Sequence, residues 1–304
     1  MSAAPAQAGP SAPLLMFGAS LLFATRGVCV KLASAFYAAG EIVFYRGLIG
    51  VLVIVALTRW QGGTLATRVP AAHFWRSLTG VAALCLWFYA LGGLPLATAI
   101  TLNYMSSVWM ALFLIGGAVV MGSSRIDPGL VAAVLVGFVG VALVLQPTID
   151  REQFWPGLGG LMSGVLSALA YLQLTTLGRA GEPEHRIVFY FSLGSVLAGA
   201  LLALVGDGLA AHTAQGALLL LAVGLLATLA QMMMTRAYTS GSTLGNAGLH
   251  YLGIFFGWAY GVLLFDEAIK ALALLGIVLI VAAGLAATWR GHRAGHDHNP
   301  APDT

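Results

Sequence analysis

Few side chains in this sequence could do chemistry away from water, and those few recur at helical spacing. His250 stands in the run GLHYLGIFFGW, where Asn246, His250, Gly253 and Gly257 fall at i, i+4, i+7 and i+11 on one helical stripe. Ala99, Asn103, Ser106 and Met110 form a second stripe, Gly224, Thr228, Gln231 and Thr235 a third, and Ser163, Ser167 and Tyr171 a fourth. Amide, imidazole and hydroxyl groups beside small residues suit a cavity that binds a polar solute. The competing reading is helix-helix contact or, for a lone histidine, a satisfied core position.

Arg26 is the deepest cation, a few residues past the centre of the first apolar run. An uncompensated arginine at that depth costs roughly 2.5–3.5 kcal/mol on insertion scales, so it must face a cavity or a partner. A substrate carboxylate fits, because one guanidinium can hold both oxygens. Arg46 lies nearer a span end and is expected to snorkel rather than ligate. Trp87, on a stripe with Arg76, Thr79, Gly80 and Ala83, joins Tyr104, Tyr171, Tyr251 and Trp258 as aromatic faces that a substrate could use, with plain packing as the alternative for each. Trp60, Trp155 and Trp289, near span ends, read as interface anchors. All 11 Asp and Glu residues fall in loops, tails or span ends, which argues against a buried carboxylate proton relay. His250 is then the central group able to titrate near neutrality, and facilitated diffusion is the simpler expectation.

These residues must be positioned by helices. The 304 residues are 59% hydrophobic and only 8% charged, with a mean hydropathy of +0.90, which excludes an ordinary soluble domain and points to an all-α integral membrane protein. Cutting at polar and Gly/Pro breaks predicts ten transmembrane spans, near 14–34, 41–58, 72–91, 97–118, 128–146, 157–177, 187–205, 214–235, 244–265 and 270–289. Such long, continuously apolar runs exclude barrel strands. The first 13 residues read as a disordered tail with no basic n-region, hence no cleaved signal, and residues 290–304 as a second disordered tail. His292, His296 and His298 belong to that polar end and are not taken as a metal site. Cys29 and Cys85 lie within spans and read as free thiols. With an inside N-terminus, Arg59, Arg68, Arg76, Arg125, Arg179, Arg186, Arg236, Arg290 and Arg293 collect on the cytoplasmic side against Lys31, Arg151 and Lys270 outside, so both termini are expected in the cytoplasm.

Sliding the sequence against itself by 147 residues places Asn103-Tyr104 on His250-Tyr251, Ala90 on Ala237, Gly129 on Gly276 and Gly137 on Gly284. The chain reads as a duplication, with repeats over 14–146 and 157–289. Each repeat holds five spans, and an odd number inserts the second copy upside down, a plan suited to a central site that either side can open. The segments FYRGLIGVLVIVAL, FYALGGLPLATAITLNY and GLHYLGIFFGWAYGVLLFDEAIKALALLGIVLIVAAGL resemble the drug/metabolite transporter superfamily, in its ten-helix EamA-type members. Ala237, Tyr251, Glu267, Gly276 and Gly284 stand where that pattern expects them. The chain departs from it in lacking the helix-breaking proline in NYMSSVW and HYLGIFF, and the acidic residue that closes the fourth helix is replaced around VVMGSSR.

The resemblance implies an alternating-access secondary transporter in a bacterial inner membrane, similar to exporters of amino acids, and implies no cofactor. Substrate binding is expected at Asn103, Tyr104, His250, Tyr251, Trp87, Tyr171, Gln231, Trp258 and Arg26, with a small zwitterion, most simply an amino acid including aromatic ones, as cargo. S-adenosylmethionine is the alternative solute, and an intramembrane transferase the alternative class, though no cluster of acids, histidines or metal ligands supports catalysis. A scaffold or sensor role lacks an attached signalling domain. The expected partners are the small-molecule substrate and the bilayer, with no nucleic acid, and the carrier is expected as a monomer or weak homodimer.

Overall fold

The computed structural model describes residues 12–120, 128–145, 151–206, 208–240, 249–250, 252–267 and 271–296. Every regular element among them is helical: α1 (Ala12–Ala33), α2 (Ala39–Trp60), α3 (Pro70–Gly93), α4 (Leu96–Tyr104), α5 (Ser106–Val120), α6 (Pro128–Leu145), α7 (Phe154–Arg179), α8 (Glu184–Val205), α9 (Ala214–Ser240), α10 (Leu252–Phe265) and α11 (Ala271–His296), with a 3₁₀ turn at Arg151–Gln153. Six of these (α1, α2, α3, α7, α8 and α9) are long and apolar enough to cross a bilayer alone. Local signals set their ends. Pro70 opens α3 at a position that needs no donor. α7 closes on Gly181 at φ +76°, with Gly181 N bonded to Gly178 O and Glu182 N to Leu177 O, the paired bonds of a Schellman turn.

Two departures from the sequence expectation bear on the site and the tail. The fourth span is interrupted at Met105, where Val108 N and Trp109 N both bond Met105 O, a 3₁₀ tightening directly after Asn103-Tyr104. The interruption occurs without the family's proline. The last helix runs to His296, seven residues past the expected end at Trp289, so 290–296 is helix rather than tail.

The packing follows the duplication. α2 packs most extensively on α8 and α6 on α11, each helix on its repeat counterpart, while α3 on α7 and α1 on α9 are the same contact seen from the two halves. Small residues let these backbones meet. A Cβ on Gly47 would stand 2.7 Å from Val196 N, and one on Gly140 would stand 2.8 Å from Gly276 O. Between the halves α4 lies on α7, where a Cβ on Gly164 would stand 2.6 Å from Leu102 O, and against α10, where one on Gly257 would meet Ile100 Cδ1 at 2.5 Å. Inverted five-helix halves thus meet along the helices that carry the polar stripes.

Candidate functional site

The stripes converge on one cavity between the halves. Its walls come from α1 (Arg26), α3 (Arg76, Trp87), α4 (Asn103, Tyr104), α7 (Ser167, Tyr171), α9 (Gln231) and His250. The two glycines of the His250 stripe are points of close approach: a Cβ on Gly253 would run into the Tyr104 hydroxyl. That approach brings the His250 ring within 4.3 Å of Tyr104 and 5.5 Å of Tyr171, centroid to centroid, and stacks it on Phe23 at 6.3 Å. Tyr171 stacks in turn on Tyr238 at 5.7 Å. His250 is 3% exposed, so it faces inward. Asn103 donates from Nδ2 to Ser163 Oγ at 3.0 Å and Ser167 Oγ at 3.2 Å, which ties α4 to the small-residue face of α7.

The cations define the cavity's charge. Arg26 is buried with its guanidinium 4.7 Å from the Phe23 ring and 4.6 Å from the Trp87 ring. Arg76 is buried and folds back over Gly80, whose missing side chain makes the room: a Cβ there would collide with Arg76 Nη1. Arg46 does not snorkel. It is 2% exposed, donates to Ser195 Oγ at 3.0 Å, and sits behind Phe191. The Arg46 and Arg76 guanidinium carbons lie 4.5 and 4.6 Å from that one ring centroid. They are therefore no more than about 9 Å apart, where like charges at an effective dielectric of about 20 repel by roughly 2 kcal/mol. The ring faces offset part of this by cation–π attraction. Among the described residues no carboxylate lies within ion-pair distance of any of the three arginines, and Nε of each, with Nη1 of Arg76, has no hydrogen-bond partner.

Charges at the two ends of the bundle are handled in the opposite way. At one end Glu182, delivered by the Schellman turn, accepts from Thr67 Oγ1 at 3.0 Å, His73 Nε2 at 3.1 Å and Arg186 Nη1 at 3.1 Å. Burial alone pushes the Glu182 carboxyl up, but these three donors together outweigh it and hold the group below its ordinary range. At the other end Glu267 pairs with Lys31 Nζ at 3.4 Å and accepts from Leu96 N at 2.7 Å at the start of α4. Both clusters join the first half of the chain to the second.

Of the residues expected to bind substrate, Arg26, Trp87, Asn103, Tyr104, Tyr171, Gln231 and His250 share the cavity wall. Trp258 does not. It is 36% exposed on the outer face of α10 and packs near Phe255. At 100° per residue it is rotated roughly 80° from His250, away from the glycine stripe. Tyr251 and Asn246 lie outside the described residues. Arg76, counted among the cytoplasmic-side cations and on the Trp87 stripe but not among the expected binding residues, is a buried wall residue, and the signal for it is Gly80 one turn further on. The cavity holds only about 60 Å³, space for a few waters, well below the roughly 300–1,000 Å³ of typical ligand sites.

This architecture, with inverted helical halves around a polar, water-sized cavity and no protruding domain among the described residues, is that of a multi-pass membrane transporter. Residues 10–146 match the EamA-like transporter family. The pseudopaline exporter of Pseudomonas aeruginosa is 34% identical over 276 residues, covering 91% of this chain and 95% of the relative. The chain belongs to the EamA-like transporter family, whose work here is the movement of small metabolites rather than catalysis. Its similarity extends to the riboflavin transporter of Rhizobium johnstonii, 27% identical over 86% of this chain and 83% of that one, and to the S-adenosylmethionine uptake transporter of Rickettsia bellii, 24% identical over 81% and 82%. One crystal structure superposes with a TM-score of 0.68 over 93% of this chain and 98% of its own at 19% identity, which shows a shared fold.

Proposed function

We propose that this protein is an alternating-access carrier of small zwitterionic metabolites that bear a carboxylate, amino acids first among them, and that it works as an exporter or facilitator in a bacterial inner membrane. The observation that carries this reading is the buried Arg26, set between aromatic rings at the junction of the two halves with no carboxylate partner among the described residues. A guanidinium left in that state is stabilised whenever a cargo carboxylate arrives. Trp87, Tyr104, Tyr171 and His250 supply flat faces for the cargo's apolar part, and Gln231 and Asn103 supply amide groups.

In the cycle, cargo binding draws the halves together, and the Glu182 and Glu267 clusters break and re-form in turn as each end opens. Arg59, Arg68, Arg179 and Arg186 lie at the Glu182 end, which supports a cytoplasmic assignment of that end and of both termini. The absence of a mid-membrane carboxylate supports facilitated movement down the cargo's gradient. The export direction rests on the 34% relative, an exporter by name. S-adenosylmethionine ranks below amino acids, because its sulfonium adds a cation to a wall already lined by arginine.

Counterflow of labelled amino acids into liposomes holding the purified protein tests the reading. Saturable counterflow, abolished by Arg26→Ala in a protein that still elutes as a folded species, is expected. Flux no faster than in empty liposomes for every carboxylate solute would overturn it.

A further inference from the structure

Arg26 answers to one carboxylate, but the cavity holds more positive charge than one carboxylate neutralises. Arg76 reaches the same wall from the other end of the α3 stripe, its guanidinium laid over Gly80 and against Phe191, with Nε and Nη1 unpartnered. Behind Phe191, Arg46 adds a third positive charge within electrostatic reach of both others. Among the described residues nothing on the second half of the chain compensates: its contributions to the wall are serine, alanine, tyrosine, phenylalanine, glutamine, methionine and histidine. From Gly80, where the Arg76 group lies, to Trp87, where the Arg26 group lies, α3 rises by roughly 10 Å at 1.5 Å per residue.

We propose that the cargo is a small amino acid derivative carrying two carboxylates a few bonds apart, held at one end by Arg26 and at the other by Arg76. Arg46 and Phe191 form a backing for Arg76: the ring keeps the two cations apart, and Ser195 fixes Arg46 in place. This deepens the carrier reading above and rests on it. The site selects by total negative charge and by the separation of the two acids, so a neutral zwitterion of the same size leaves Arg76 without a counter-charge and binds less well.

The test uses the full-length protein in liposomes, with glutamate, 2-aminoadipate, the ω-methyl ester of each, and leucine as competitors of labelled leucine or glutamate counterflow. At least one diacid is expected to compete 10-fold or more better than its own ester and than leucine. Arg76→Gln is expected to bring the diacid-to-ester ratio close to one. Gly80→Ala, which keeps every charge but occupies the space of Arg76 Nη1, is expected to lower the same ratio and serves as the second variant should Arg76→Gln fail to fold. Esters or leucine competing as well as the diacids would overturn the two-acid site while leaving a carrier of monocarboxylates. No saturable counterflow with any of the five solutes would instead overturn the carrier reading, and the two-acid site with it.

Discussion

The ends and the middle of this bundle treat charge in opposite ways. Glu182 meets three donors and Glu267 meets a lysine and a helix start, whereas Arg26, Arg46 and Arg76 have aromatic rings and one serine but no acid among the described residues. A chain that surrounds Glu182 and Glu267 with counter-charges and donors is able to do the same in its middle. The difference motivates the proposal that the end clusters serve the protein's own closure and that the central cations receive cargo. Unpaired buried charge weakens the fold, and an intramembrane ionisable residue is by default a candidate for function.

Predictions that strain this contrast follow from the two kinds of site. Arg26→Met has the largest expected effect: the KM for carboxylate solutes in liposome flux rises on the order of 100-fold, about 3 kcal/mol, as expected when one partner of a desolvated charge pair is lost. An effect below 3-fold would place Arg26 among the packing residues. Next comes Glu182→Ala, which leaves Thr67, His73 and Arg186 without their acceptor and should lower stability in detergent melts by about 1–3 kcal/mol. The same carboxyl gives the end a pH dependence. Its folded value is depressed, so its stabilising contribution is present above the ordinary carboxylate range and is lost as pH falls through the depressed value. The wild-type melting temperature should therefore fall on acidification more steeply than that of Glu182→Gln, and parallel curves would remove the role assigned to the cluster. Asn103→Ala should cost about 0.6–1.7 kcal/mol through its lost bonds to Ser163 and Ser167, read as a lower melting temperature. The smallest effect belongs to Trp258→Leu on the outer face, within about 0.5 kcal/mol in stability and without change in flux.

Much of this was legible in the residues before any coordinates. Long apolar runs can only be helices in a bilayer, and the 147-residue shift paired Asn103-Tyr104 with His250-Tyr251, whose helices do cross where Gly253 lies under Tyr104. What periodicity cannot state is direction at a span end. Arg46 and Arg76 lie close enough to an interface to snorkel, and what turns them inward is a neighbour's shape: the Gly47 crossing with α8 for Arg46, and the space over Gly80 for Arg76. Residue type alone suggests Trp258 as a cavity residue, whereas its angular offset from His250 turns it outward. The Met105 interruption was illegible because the usual signal, a proline, is absent and the tightening comes from the backbone itself.

The central claim is that Arg26 serves cargo and not the fold. Paired thermal melts of wild type and Arg26→Met, each with and without a saturating carboxylate amino acid that the wild type transports, test it most directly. Without ligand the variant should melt at the wild-type temperature or above it, because a buried unpaired charge has been removed, and it should lose the ligand-induced rise that the wild type shows. A variant that melts lower without ligand and keeps its ligand-induced rise would contradict the claim and make Arg26 a structural residue.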